Sequence, residues 1–387
     1  MSGPLAGIRI VELGSFIAGP FAGQLLGDLG AEIIKIEPAE GDPMRRWGIT
    51  RDGKSLWWPT IARNKRSVVL DLRTDEGQQA VRGLAGECDA VLENFRPGTL
   101  ERWGLGYDRL REVNPKIVVV HVSGFGRSGP YAEQAGFGSV AEAVGGIRHT
   151  TGEPDRKASR SGVSLGDSLA ALFAVNGLLA ALLERDRSGE GQEVDVAIYE
   201  AVFALMESSV ADFELAGVTR GRSGSKLPGV APSNVYSAAD GSDIVIAANA
   251  DGVFARLAQA MGQAELAADE RFKTHSARGE HMDELDALIG QWTVTVDSDQ
   301  LLAVLERAGV PAGKINTAQT ILQDAHFAAR EMVIRRTTAD GWTVPMAGVV
   351  PRFSRTPGSV RSVGPALGEH TDEVLGTLNS SNSSVGS

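Results

Sequence analysis

The chain has 387 residues, 42% of them hydrophobic, and a formal charge of -11. That length suits two domains or one large α/β body with an insertion, and the acidic balance argues against a general nucleic-acid binder, which needs a basic face against phosphates. A single cysteine, Cys88, excludes an internal disulfide framework and suits a reducing compartment. The opening MSGPLAGIRIVEL lacks a basic segment followed by a long apolar core, and Asn176 and Gly177 interrupt the longest apolar run. The expectation is a soluble cytoplasmic protein with neither membrane nor nucleic-acid partners.

The first elements read as a βαβ unit: strand Ile8–Leu13, loop Gly14–Pro20, helix Phe21–Leu29 and strand Glu32–Ile36. Pro20 near the helix start and Gly30 past its end fit the usual start and stop residues, and so short a crossover implies parallel neighbours. Glu37 ends the second strand where a ribose-binding acid would sit. Gly14, Gly19 and Gly23, however, are spaced GxxxxGPxxG and not the GxGxxG of a pyrophosphate turn, which argues against a nicotinamide enzyme. Strand signals at Ser67–Leu72, Ala90–Glu93 and Ile117–Val122, a helix Asp75–Gly86 and a short helix around Leu100–Trp103 extend the alternation into a doubly wound parallel sheet. Ligands of such sheets bind outside the carboxyl ends of the strands.

Arg45, Arg46, Arg63, Lys65, Arg66 and Arg73 stand out against the acidic background, as a solvated face or as a seat for a phosphorylated ligand. Further on, Asp167 follows Gly166 and opens a nearly unbroken apolar run to Glu184, read as a helix buried on all sides. Asp is a preferred helix cap. The same amide donors and helix dipole also keep a carboxylate ionised and able to act as a nucleophile, while Gly166 leaves room for a reacting carbonyl. The segment from Gly191 reads as a strand feeding a second long helix. Residues 217–234 shift to glycine, serine, proline and basic residues, a linker or mobile loop.

From Val235 the pattern is a smaller α+β domain, with strand Asp243–Ala248 and amphipathic helices Val253–Met261, Met282–Trp292 and Ser298–Gly309. Glu331–Phe353 carries short strand signals split by Gly341 and Pro345, and residues 380–387 read as a disordered tail. No two of His121, His149, His275, His281, His326 and His370 have the spacing of a helical metal pair, so no metal site is expected. His121 reads as a residue packed within a strand and His370 as one at a helix start. Neither a GxSxG elbow nor a GxxxxGK[ST] loop is present, which leaves carboxylate chemistry.

LAGIRIVELGSFIAGPFAGQLLGDLGAEIIKIE, NKRSVVLDL, ENFRPGTLERWGLGY, SGFGRSGPY, SLGDSLAALFAVNGLLAAL, GQEVDVAIYEAV and LGEHTDEVL, in this order, resemble the family III CoA-transferases, the carnitine and formyl-CoA transferase group. The resemblance implies a Rossmann-like large domain made of residues 1–215 and a returning segment 326–379, an active-site loop or linker at 216–234, and a small α+β domain at 235–325. It also implies a homodimer of interlocked rings, coenzyme A as substrate with no permanently bound cofactor, and Asp167 in SLGDS as nucleophile. Phe16, Ile17, Ala18, Leu70, Asp71, Leu72, Arg73, Asn94, Phe95, Arg96 and Arg102 fall on its CoA-binding positions, with Phe137 and Gly138 beside them. Some members carry an arginine where this chain has Pro38; Arg45 or Arg46 are the candidates to replace it.

Related 2-methylacyl-CoA racemases use a histidine base in a GHD triplet, and this chain reads Gly136-Phe137-Gly138 there. Phenylalanine carries no proton, and Gly138 also removes the acid that formyl-CoA enzymes have. Glu142, a helical turn further on, is the candidate to face the same space. A racemase-like enzyme and a non-catalytic CoA-binding protein are the alternatives. The form FGSVAEAVGG looks most like transferases of dicarboxylic acyl groups, such as succinyl-CoA with citramalate, malate or mesaconate. In loop 221–230, Lys226 or Arg222 would meet a distal carboxylate, unless the loop is a plain flexible linker.

Overall fold

The computed structural model describes residues 3–384. The chain divides into two compact units: one takes everything up to Ile147, Ser161–Leu215 and the chain from His326 onward, the other Arg148–Arg160 and Ala216–Ala325.

The larger unit is built on a six-stranded sheet in the order Lys65–Val69, Glu32–Glu37, Arg9–Glu12, Ala90–Glu93, Val118–Ser123, Glu193–Ala197. Every neighbouring pair is parallel. Numbered along the chain this is 3-2-1-4-5-6, the doubly wound order whose ligand crevice opens where the order reverses. Here that point lies between Arg9–Glu12 and Ala90–Glu93. Alternate side chains face opposite ways along a strand, so Ile10, Ile33, Leu92, Val118 and Val120 join one core while Val11, Ile34, Val91 and Val119 join the other. Helices Ala18–Asp28 and Leu165–Ser188 contribute to the first core, and helices Asp75–Glu87, Tyr107–Val113 and Thr371–Ser384 to the second.

Three elements depart from expectation. Helix Leu165–Ser188 is not buried on all sides: Ala170, Ala171, Ala174, Leu178, Ala181 and Leu182 pack inward, whereas Leu172, Phe173 and Leu183 are exposed. The helix is long and apolar enough, by length and composition, to cross a membrane; its small inward residues instead pack it into the core beside the sheet. The long helix expected after Glu193–Ala197 is broken into Ile198–Phe203 and Ser209–Ala216, with Glu207 at a positive φ of 50° in the turn. Helix Thr371–Ser384 runs into the segment expected as a disordered tail, because its Val374 and Leu378 are anchored in the second core and a nucleated helix propagates cheaply; residues 385–387 lie outside the described residues.

The C-terminal segment is stitched to the first βαβ unit by buried Asp28. Its carboxylate accepts from Arg63 Nε at 3.0 Å and Asn64 Nδ2 at 2.8 Å, while Arg63 Nη1 donates to Ala347 O at 2.6 Å and Asn64 Nδ2 to Ser359 O at 2.9 Å. The smaller unit packs the antiparallel strands Ser233–Ser237, Asp243–Ala247 and Ala312–Lys314 with helices around Phe254, Leu285, Ile289 and Leu301.

Asp28→Ala would strand the buried Arg63 guanidinium, and removing one partner of a buried ion pair costs about 3–5 kcal/mol. Urea unfolding of the larger unit is expected to show that loss; a change below about 1 kcal/mol would contradict the stitching role.

Candidate functional site

At the reversal point the loop after Arg9–Glu12 meets the loop after Ala90–Glu93. Asn94 clamps the first loop from one side: its Oδ1 accepts from Ser15 N and its Nδ2 donates to Ser15 O, both at 2.8 Å. This explains the glycine spacing that failed as a dinucleotide fingerprint. A Cβ at Gly14 would overlap Asn94 Oδ1, one at Gly19 would lie 3.2 Å from it, and one at Gly23 would overlap Glu12 Oε2. The glycines make room for a side-chain clamp and a buried acid, not for a pyrophosphate.

Phe16 sits in the clamped loop at φ 65°, a conformation that costs a bulky residue about 1–3 kcal/mol and concentrates at functional sites. On its other side, Asp42 Oδ1 accepts from Phe16 N at 3.3 Å and from Met44 N at 2.8 Å. Asp42 Oδ2 pairs with Lys35 Nζ at 2.8 Å; Lys35 also reaches Glu12 Oε1 at 2.9 Å and Gly14 O at 2.8 Å, and Lys65 Nζ completes the chain at 2.7 Å from Glu12 Oε2. All four charged groups are buried. Burial alone would push the Glu12 carboxyl up, yet the two lysines hold it below its ordinary value. Burial likewise opposes the charge on Lys35, but Glu12, Asp42 and Glu37 raise it, whereas for Lys65 burial wins and pushes it down to about 8.

Most of the basic cluster is therefore internal. Lys65 serves Glu12, Arg63 serves Asp28, and Arg66 pairs with Glu32 and Glu373. Arg45 grips Glu37 through two 2.7 Å bonds and lies 3.8 Å over the Trp58 ring. Glu37 is equally occupied, taking Ser67 Oγ at 2.6 Å and Asp42 N at 2.9 Å, which removes it as a ribose ligand. Burial opposes its charge, but Arg45, Lys35 and Ser67 hold it below the usual carboxylate range. Arg46 stays exposed.

Leu70, Asp71, Leu72, Arg73 and Phe95 line one cleft of about 210 Å³, together with Trp103. Phe95 and Trp103 meet edge to face at 5.2 Å. Arg96 and Arg102 are exposed on the segment that carries Phe95, and Arg73 lies against Asp71 at 2.8 Å. Phe16–Ala18 is tied to the same segment through Asn94. The Phe95–Trp103 pair suits a flat ring and the Arg73 guanidinium a phosphate, in a cleft whose wall also carries Glu37, Glu40 and Asp71.

A second group forms around Asp167. Ser164, not Asp167, is the N-cap of helix Leu165–Ser188; Asp167 stands in the first turn, where the helix dipole still favours a negative charge. Gly166 N donates to Glu142 Oε1 at 3.2 Å, and Glu142 is only 1% exposed. Glu142 does reach this space, as an acceptor for the helix that carries Asp167. A Cβ on Gly138 would overlap Asp167 Oδ2 and stand 2.6 Å from Cγ. Gly138 thus belongs with Asp167 and not with the cleft, and its neighbour Phe137 is 67% exposed. The glycine that lacks an acid is the glycine that seats one.

In the smaller unit, loop 221–230 is tied down. Gly224 N donates to Gly152 O at 3.0 Å and Arg222 Nε to Glu153 O at 3.2 Å, while Lys226 Nζ pairs with Asp283 at 2.5 Å and Asp286 at 3.4 Å. Lys226 is thereby engaged with acids of its own unit. Sequence reasoning passed over Glu12, Lys35 and Asp42; the visible signal was a charge inside each of two apolar strands, which demands an internal partner.

Gly138→Ala is expected to drive the Asp167 carboxylate from its seat, seen as a changed side-chain rotamer in a crystal structure of the variant. An unmoved carboxylate would refute the close packing.

The CoA-transferase family III model matches residues 5–371. Among similar proteins, the succinyl-CoA–D-citramalate CoA-transferase of Chloroflexus aurantiacus is 57% identical over 97% of this chain and 94% of its own length. The succinate–glutarate CoA-transferase of Agrobacterium fabrum is 37% identical over 97% and 96%. The crystal structure of a CAIB/BAIF family protein from Brucella suis superposes with a TM-score of 0.86 at 39% identity, covering 98% of this chain and all of that one. The chain belongs to CoA-transferase family III.

Proposed function

We propose that this enzyme moves CoA from a dicarboxylic acyl-CoA, succinyl-CoA foremost, to a carboxylic or dicarboxylic acid, with Asp167 as the nucleophile. The observation that carries the reading is the Asp167 carboxylate in the first turn of a long helix, seated against the bare backbone of Gly138. A carboxylate favoured in its charged form by a helix start and fixed in place by close backbone packing is an oriented nucleophile.

Asp167 attacks the thioester carbonyl, the C–S bond breaks, and CoA leaves as thiolate from a mixed anhydride. The thiolate attacks the Asp167 carbonyl, releasing the donor acid and leaving an aspartyl-CoA thioester. The acceptor carboxylate attacks that thioester and displaces the thiolate again. The thiolate then takes the acceptor acyl group, and Asp167 is restored. Each step exchanges an acyl group between oxygen and sulfur with no net proton change, so excluding water protects both intermediates. The cleft of Leu70–Arg73, Phe95 and Trp103 takes the nucleotide end of CoA, with Arg96 and Arg102 for its phosphates and Phe16–Ala18 along its course.

The succinyl donor and the dicarboxylic acceptor rest on similarity to the citramalate and glutarate enzymes. A racemase reading lacks a base, since Phe137 stands where one is needed. The protein works in the cytoplasm as a homodimer, and the exposed Leu172, Phe173, Leu183, Phe213 and Leu215 supply apolar area for a second copy to cover.

A panel of acyl-CoA donors against carboxylic acids, read by mass spectrometry, is expected to give transfer from succinyl-CoA. α-Deuterium exchange into a 2-methylacyl-CoA without acyl transfer would overturn this. Asp167→Asn and Asp167→Ala are expected to abolish transfer while CoA still binds; wild-type rates in either would sink the nucleophile. Gly138→Ala is expected to lower kcat about tenfold or more, as misplaced reacting groups do, with donor KM little changed.

A further inference from the structure

Joined to Phe95 of the cleft through Glu93 is a cluster that the transfer chemistry does not use. His121 is 1% exposed in the strand Val118–Ser123, and each ring nitrogen faces a carboxylate: Nδ1 is 2.5 Å from Glu93 Oε1, and Nε2 is 3.1 Å from Glu193 Oε1. The other oxygen of Glu93, Oε2, accepts from Phe95 N at 2.6 Å. Arg127 Nη1 lies 3.1 Å from His121 Nδ1, and Arg127 Nη2 reaches Glu101 at 2.5 Å and Glu193 at 3.6 Å. Glu101 sits on the helix Thr99–Arg102, next to Trp103.

The segment from Phe95 to Trp103 is thus held at both ends. Glu93 fixes the Phe95 backbone, and Glu101 fixes the short helix. Both ties converge on His121 and Arg127. A four-residue helix has little stability of its own, so its place beside the cleft depends on such outside bonds.

We propose that His121 is a positioning residue for coenzyme binding: through Glu93 and Arg127 it holds Phe95, Arg102 and Trp103 in one arrangement ready for the ligand. The inference rests on the reading that this cleft takes CoA. Without His121, the buried Glu93 carboxylate loses its partner and turns toward water, releasing Phe95 N. The segment must then be ordered anew at each binding event, which weakens binding of donor without touching the reaction at Asp167.

The test combines steady-state kinetics with calorimetric titration of free CoA. His121→Leu is expected to raise both the acyl-CoA KM and the CoA Kd on the order of tenfold, as about 1.4 kcal/mol of lost binding does, with kcat at saturating donor unchanged within about twofold. His121→Asn places an amide N–H where ring Nδ1 stood and is expected to restore most of the affinity. If the leucine variant does not fold, Glu101→Gln, which loosens only the second tie at the surface, is expected to raise the CoA Kd a few-fold. Unchanged CoA affinity in the folded variants, a fall in kcat alone, or an asparagine variant as weak as the leucine variant would overturn the inference. Phe95→Ala separates the two claims: its CoA Kd is expected to rise, and an unchanged value would overturn the placement of CoA in the cleft and this inference with it.

Discussion

Glu12 is a carboxylate buried without access to water, and the sheet tolerates it only because Lys35 and Lys65 lie within 2.9 Å of its two oxygens. Isolated, such a charge costs several kcal/mol to bury; paired and hydrogen-bonded, it becomes a fixed strut. Lys35 passes the constraint to Asp42, and Asp42 passes it to the backbone of Phe16. A loop that would relax out of a positive φ is held there by charges that have nowhere else to go. Remove any member and the others lose their reason to be buried.

The same device recurs across the strand ends. Asn94 locks Ser15, Glu93 locks Phe95, and His121 and Arg127 lock Glu93 and Glu101. A parallel sheet delivers its loops to one edge, but loops are mobile by default. Here the loops after Arg9–Glu12 and Ala90–Glu93 are tied to polar side chains at or beside the strand ends, which restricts both without a ligand. Asp167 is placed by a different means, a long helix start and a missing side chain at Gly138.

Much of the framework was legible because hydrophobic period and glycine or proline punctuation are local signals. Strand Ala90–Glu93 was expected at the bounds observed, and the parallel alternation followed from the short crossovers. Partnership was not legible. The basic residues from Arg45 to Arg73 read in sequence as a solvated face or a phosphate seat, and what consumes most of them is a set of acids elsewhere in the chain, which no local pattern shows. Helix Leu165–Ser188 shows a related effect: composition says how apolar a helix is, while the face of Ala170, Ala174, Leu178 and Ala181 is the side that meets the core. Residues 148–160 join the smaller unit through bonds such as Gly224 N to Gly152 O, a long-range tie without a sequence mark. For Asp167, spacing does not show that Ser164 is the cap, nor that the carboxylate lies against Gly138, 29 positions away.

Transfer through Asp167 requires one covalent event that needs no acceptor acid. Protein mixed with succinyl-CoA alone, quenched in acid and digested, is read by peptide mass spectrometry. A CoA adduct is expected on the peptide holding Asp167, together with released succinate, and no adduct in Asp167→Asn. Release of succinate with that peptide unmodified at every time, or a CoA adduct on a different residue, is the opposite result.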